Sequence, residues 1–104
     1  GDAFFSVEAK VGSLVVFLNE NHPAFKHLFA VIDKIDTDEE ISKEEMRKKV
    51  IHASAALKLV MASWAMYEDE AIGDDHRNLV KARRTWGRYA DEFLPTDNDE
   101  YEEG

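Results

Sequence analysis

The 104-residue chain contains no cysteine, only two prolines and only five glycines. The first absence removes disulfide staples, thiolate zinc sites, iron–sulfur clusters and cysteine nucleophiles together. Five glycines are too few for a phosphate-cradling loop, and neither a Walker-type lysine nor a motif-supported Ser–His–Asp set is present, so an autonomous enzyme is not expected. Positive charge is also scarce: 13 Lys and Arg face 22 Asp and Glu, a formal net charge of −9. That balance disfavours nucleic acid and anionic membrane surfaces as partners. No basic-then-apolar leader opens the chain, no apolar run approaches the roughly 20 residues that span a bilayer, and a cytoplasmic location is expected. A hydrophobic content of 44% suffices for one modest core and one compact unit. Gly1-Asp2, in place of an initiator methionine, reads as the start of a piece cut from a longer protein.

The pattern predicts a mostly helical α+β domain over 1–95. Phe5, Val7, Ala9 and Val11 alternate with polar residues, Gly12-Ser13 interrupts, and Leu14–Leu18 is apolar throughout, which predicts a β-hairpin over 3–18. The second strand should be covered on both faces. Pro23 fits the first turn of a helix over 23–36, with Asn21 or His22 as cap and a stripe of Phe25, Leu28, Phe29, Ile32 and Ile35. Ser42 and Glu45 form a capping box opening a long helix over 42–72. On it Met46, Val50, Ala53, Leu57, Val60, Trp64, Tyr67 and Ala71 alternate steps of four and three, a heptad seam that runs to Gly73. Nothing in a chain of this size easily covers such a length, so Met46, Val50, Leu57, Val60, Trp64 and Tyr67 are candidate interface residues.

Asp74 and Asp75 are expected to cap a last helix over 74–94, with an inward stripe of Leu79, Ala82, Trp86, Ala90 and Phe93, and Pro95 stops it. The short connection makes the two long helices antiparallel neighbours anchored by Trp64 and Trp86, so Trp86→Ala should cost about 3–5 kcal/mol. Residues 96–104 carry Asp97, Asp99, Glu100, Glu102 and Glu103 with almost no apolar content, and read as a disordered acidic tail.

His22, His27, His52 and His76 show no metal-ligand spacing, and no metal is expected. His22 is expected to shape the strand-to-helix turn with Asn19 and Pro23, whereas His27 and His52 should sit at the edges of apolar stripes. Glu68, Asp69 and Glu70 lie at a helix C-terminus, where negative charge is unfavourable; Arg83 or Arg84 of the next helix is the expected compensation. Lys81, Arg84 and Arg88 share a face but Trp86 does not, which argues against a stacking surface for bases.

Phe4–Val7, Gly12–Phe25 with its Asn19-x-x-His22-Pro23-x-Phe25 turn, Ala55–Leu59, Trp64-Ala65 with Tyr67-Glu68, and Arg84–Tyr89 with Phe93-Leu94 carry a resemblance. Across 4–94 the chain resembles the region that follows the nucleotide-binding fold in bacterial proteins with histidine-kinase- or gyrase-type (GHKL) ATPase domains. That family's glutamate-to-asparagine helix, D-x-G-x-G turn and glycine-rich lid are absent, so no nucleotide or magnesium ligand carries over and no cofactor is expected. The resemblance implies a non-catalytic C-terminal accessory or oligomerisation module, its partner a second copy or the ATPase domain of the same parent. Two other classes compete. One is a small acidic binding or inhibitor protein that mimics nucleic acid; the other is a metal-dependent enzyme using the carboxylates of the stretch from Glu68 to His76.

Overall fold

The computed structural model describes residues 2–37 and 40–95; the acidic tail expected at 96–104 lies outside them. The architecture is mostly helical α+β, as the pattern predicts: strands β1 (Phe5–Lys10) and β2 (Ser13–Leu18), a π-helical turn (Phe25–Phe29), and helices α1 (Ala30–Thr37), α2 (Lys43–Glu70) and α3 (Gly73–Phe93). The chain gathers into two compact units, Gly1–Ser63 and Trp64–Gly104, so that α2 contributes to both.

In the first unit β1 and β2 pair antiparallel, from Phe5 opposite Leu18 to Lys10 opposite Ser13. Val11-Gly12 makes the turn, with Gly12 at φ 80°, a conformation open to a residue without Cβ. Because side chains alternate between faces, Phe5, Val7 and Ala9 join Leu14, Val16 and Leu18 on one side of the ribbon. That apolar side is exposed at every position, and Val15 on the opposite side is the one half-buried strand residue. The expected double cover of β2 is therefore not found, since the nearby helices supply too little surface to sheathe a two-stranded ribbon.

The turn after β2 is held by polar contacts. The Asn19 backbone N–H donates to the Phe4 carbonyl at 2.9 Å, its side-chain amide N–H donates to the Ala3 carbonyl at 2.9 Å, and its side-chain Oδ1 accepts the Asn21 N–H at 3.1 Å. His22 is the cap: its Nδ1 accepts the Ala24 N–H at 2.9 Å, and its ring meets the Phe4 ring edge-on at 4.2 Å. The expected stripe changes here. Phe25 and Leu28 are half-buried, but Phe29 and Ile32 are exposed and Val31 takes a covered position instead. A π turn holds more residues than an α turn, so the 3.6-residue period behind that stripe breaks at Phe25–Phe29.

The Ser42 Oγ accepts the Glu45 N–H at 3.1 Å and starts α2 as the capping pattern predicts. At 1.5 Å per residue its 28 residues extend about 42 Å. Contrary to the sequence expectation, α2 is long and apolar enough to cross a membrane by length and composition.

In the second unit the Trp64 and Trp86 rings meet edge-on at 6.3 Å, and Glu68 pairs with Arg83. Residues later in α3 thus contact residues earlier in α2, the signature of an antiparallel helix pair. The helix starts differently from the expectation: Ile72 is the N-cap residue, no side chain caps it, and Gly73 at φ 61° makes the reversal. Asp74 binds Arg77 instead. Leu79 and Ala90 are half-buried, but Phe93 is exposed and Trp86 is 60% exposed.

Two outcomes follow. Trp86→Ala costs roughly 1–2 kcal/mol in thermal or urea melting, below the fully buried case, because much of the indole already faces water. His22→Ala costs about 1 kcal/mol through the lost cap, read by the same melt.

Candidate functional site

The joint between α2 and α3 carries a polar cluster built on Glu68. Arg83 grips Glu68 with two bonds, Nε to Oε2 at 2.8 Å and Nη2 to Oε1 at 2.9 Å, and the Trp64 indole N–H donates to Oε2 at 2.9 Å. The Glu68 side chain is only 12% exposed. Arg83 first, then the indole, holds its carboxyl at about 2, below the ordinary 4.5, while partial burial pulls the other way. Glu68 in turn raises the Arg83 guanidinium. His76 donates its Nδ1 proton to the Glu68 carbonyl at 2.8 Å, satisfying a backbone acceptor that the end of α2 leaves free. The misplaced negative charge at this helix end thus finds the arginine the sequence implied. The cluster is consumed by its own contacts, and its role is to fix the hairpin.

The six candidate interface residues divide by position. Trp64 is half-buried against Tyr67, whose ring lies edge-on at 6.0 Å, and against Trp86. Val60 is half-buried, while Met46, Val50, Leu57 and Tyr67 are exposed, Val50 and Leu57 by 50% and 52%. Among the described residues Ala53 alone is fully buried. The heptad seam therefore presents large apolar side chains to solvent along most of α2.

Sequence reasoning missed one constellation. His27 Nδ1 and His52 Nε2 lie 2.9 Å apart, their rings nearly parallel at 15°, although the residues are 25 positions apart. They sit on the wall of an apolar cleft of about 580 Å³. Phe4, His22, Pro23 and Ala24 line it from the N-terminal side, and Ala55, Ala56, Leu59, Val60 and Ser63 from α2. No local signal pairs the two histidines; only the fold-back of the π turn onto α2 does. Of the turn residues Asn19, His22 and Pro23, the last two line the cleft. Among the described residues no group of three or more His, Cys, Asp or Glu is placed to hold a metal ion.

Comparison with protein-family models, with curated proteins and with solved structures finds no match for this chain.

The Glu68 pairing fixes a pH dependence. A carboxyl held lower in the folded state than in the unfolded one stabilises the fold above its unfolded value and loses that effect as it is protonated. The contribution is complete above about 4.5 and drains away as pH falls towards about 2. Wild-type melting temperature should decline across that window, and Glu68→Gln should flatten this part of the decline while lowering stability at neutral pH.

Proposed function

We propose that the chain is a non-catalytic accessory module of a histidine-kinase- or gyrase-type ATPase protein and acts by self-association through α2. One observation carries the association reading: Met46, Val50 and Leu57, spaced as a heptad seam, stand exposed on a helix whose one buried residue is Ala53. The ATPase context comes from the sequence resemblance and remains a proposal.

A second copy fits this surface in kind. The seam is one continuous stripe, so two copies of α2 meet about a twofold axis, each presenting the same residues to the other. Met46, Val50, Leu57 and Tyr67 on α2 are exposed large side chains of the kind that an interface between copies removes from water. Lys58 in the middle of the apolar stretch favours a protein surface over lipid as the cover.

Sedimentation of the full chain at micromolar concentration should give twice 11.9 kDa. Leu57→Glu places two like charges near the twofold axis and should shift the species to the monomer while the helical content of α3 persists. A monomer for the wild type refutes self-association, as does partition of the wild type into neutral phosphatidylcholine vesicles. A genomic sequence with no D-x-G-x-G-bearing domain upstream of Gly1 removes the ATPase context without touching the association reading.

A further inference from the structure

We infer that the outward face of α3 is a docking strip for an acidic peptide segment, and that this chain's own residues 96–104 are the segment it takes. The inference stands on α3 and is independent of association through α2.

Helix geometry singles out the strip. Trp86 meets Trp64, Arg83 grips Glu68, and Leu79 and Ala90 are half-buried, so positions 79, 83, 86 and 90 mark the side of α3 turned to α2. With 3.6 residues per turn, Arg77, Lys81, Arg84 and Arg88 recur at steps of four and three on the opposite side. All four are exposed. Arg77 binds Asp74, whereas Lys81, Arg84 and Arg88 have no ion pair among the described residues. Asp91 and Glu92 lie within a turn of Arg88 and still pair with none of the three. Like charges at these spacings repel, so the face gains from an anion laid along it.

Charge and reach select the occupant. Residues 96–104 hold Asp97, Asp99, Glu100, Glu102 and Glu103 and no Lys or Arg. They follow directly on α3, whose C-cap Leu94 has already left the helix in an extended conformation, φ −79° and ψ 139°, ahead of Pro95. From Leu94 back to Arg88, Arg84 and Lys81 is roughly 9, 15 and 20 Å along the helix at about 1.5 Å per residue. Extended chain covers about 3.3 Å per residue, which brings Asp97, Asp99 and Glu100 to roughly 10, 17 and 20 Å from the same point. Doubling back along α3, the segment therefore sets three carboxylates level with three cations in order. One exposed ion pair is weak, but three in register on a short link act together at a high effective concentration. Docked in this way, the segment screens the strip from other polyanions.

Because the chain has no cysteine, Gly104→Cys gives a single site for a spin label at the far end of the segment, and amide signals of the isotope-labelled full chain report what lies near it. At about 0.01 M salt, where charges act over about 30 Å, the signals of Arg77 to Arg84 should lose at least about half their intensity relative to the reduced label. Raising the salt to about 1 M, where charges act over only about 3 Å, should restore them. Arg84→Gln with Arg88→Gln should restore them too, as should Asp97→Asn with Asp99→Asn and Glu100→Gln. Full intensity at low salt overturns the inference, and so does a loss that neither salt nor the substitutions reverse. Mixing a spin-labelled chain with an isotope-labelled one should give no such loss; an equal loss in the mixture places the segment on a second copy and overturns the inference as well. An oligothymidylate that shifts the signals of the strip, while the label leaves them at full intensity, assigns the face to nucleic acid instead.

Discussion

A helix about 42 Å long with an apolar stripe along it sets the terms for everything else in this protein. A stripe of that length stabilises a fold only where something covers it, at about 25 cal/mol for each Å² removed from water. The π turn and α1 are short, and the α3 contacts at Trp64 and Glu68 lie at the C-terminal end of α2. The residues between, from Met46 to Leu57, keep large side chains in solvent. The hairpin shows the same deficit, one whole side of the ribbon being apolar and open. Both deficits are of the kind that association removes.

With so little buried apolar surface, local geometry rests on polar joints. Asn19 ties the end of β2 to the residues before β1, and His22 closes the next helix start. Ser42 closes the start of α2. Glu68 locks α2 to α3 through Arg83 and Trp64. Each joint satisfies a backbone donor or a charge that its position would otherwise leave exposed to competition from water. By contrast, the surface ion pairs Lys48–Glu44 and Arg77–Asp74 have both partners in solvent and contribute little.

What could be read from the sequence was what local chemistry decides. The strand alternation, the Ser42 cap, the Asn19–His22 turn and the need for an arginine beside Glu68 all follow from neighbours within a few residues or from a charge in the wrong place. What could not be read was set by distance and by departure from ideal period. The π turn broke the stripe assumed for Phe29 and Ile32, and Ile72 rather than an aspartate became the N-cap of α3, with both aspartates inside its first turn. The His27–His52 pair needed two segments brought together, and neither histidine carries a motif that announces the other. Apolar periodicity named a stripe on α2 without showing whether the chain itself would cover it, and Ile51, Leu59, Met61 and Met66 off that stripe are exposed as well. Trp86 makes the same point, since its contact with Trp64 was foreseeable and its 60% exposure was not.

The absence of cysteine allows a direct measurement of the central claim, the meeting of α2 with its counterpart in a second copy. Leu57→Cys gives one attachment point for a spin label, and dipolar spectroscopy then reads the distance between labels on two chains. Helices packed along this face lie about 8–10 Å apart axis to axis, so the account predicts strong coupling with a narrow distance distribution. Uncoupled labels at concentrations where the chain is folded would contradict it.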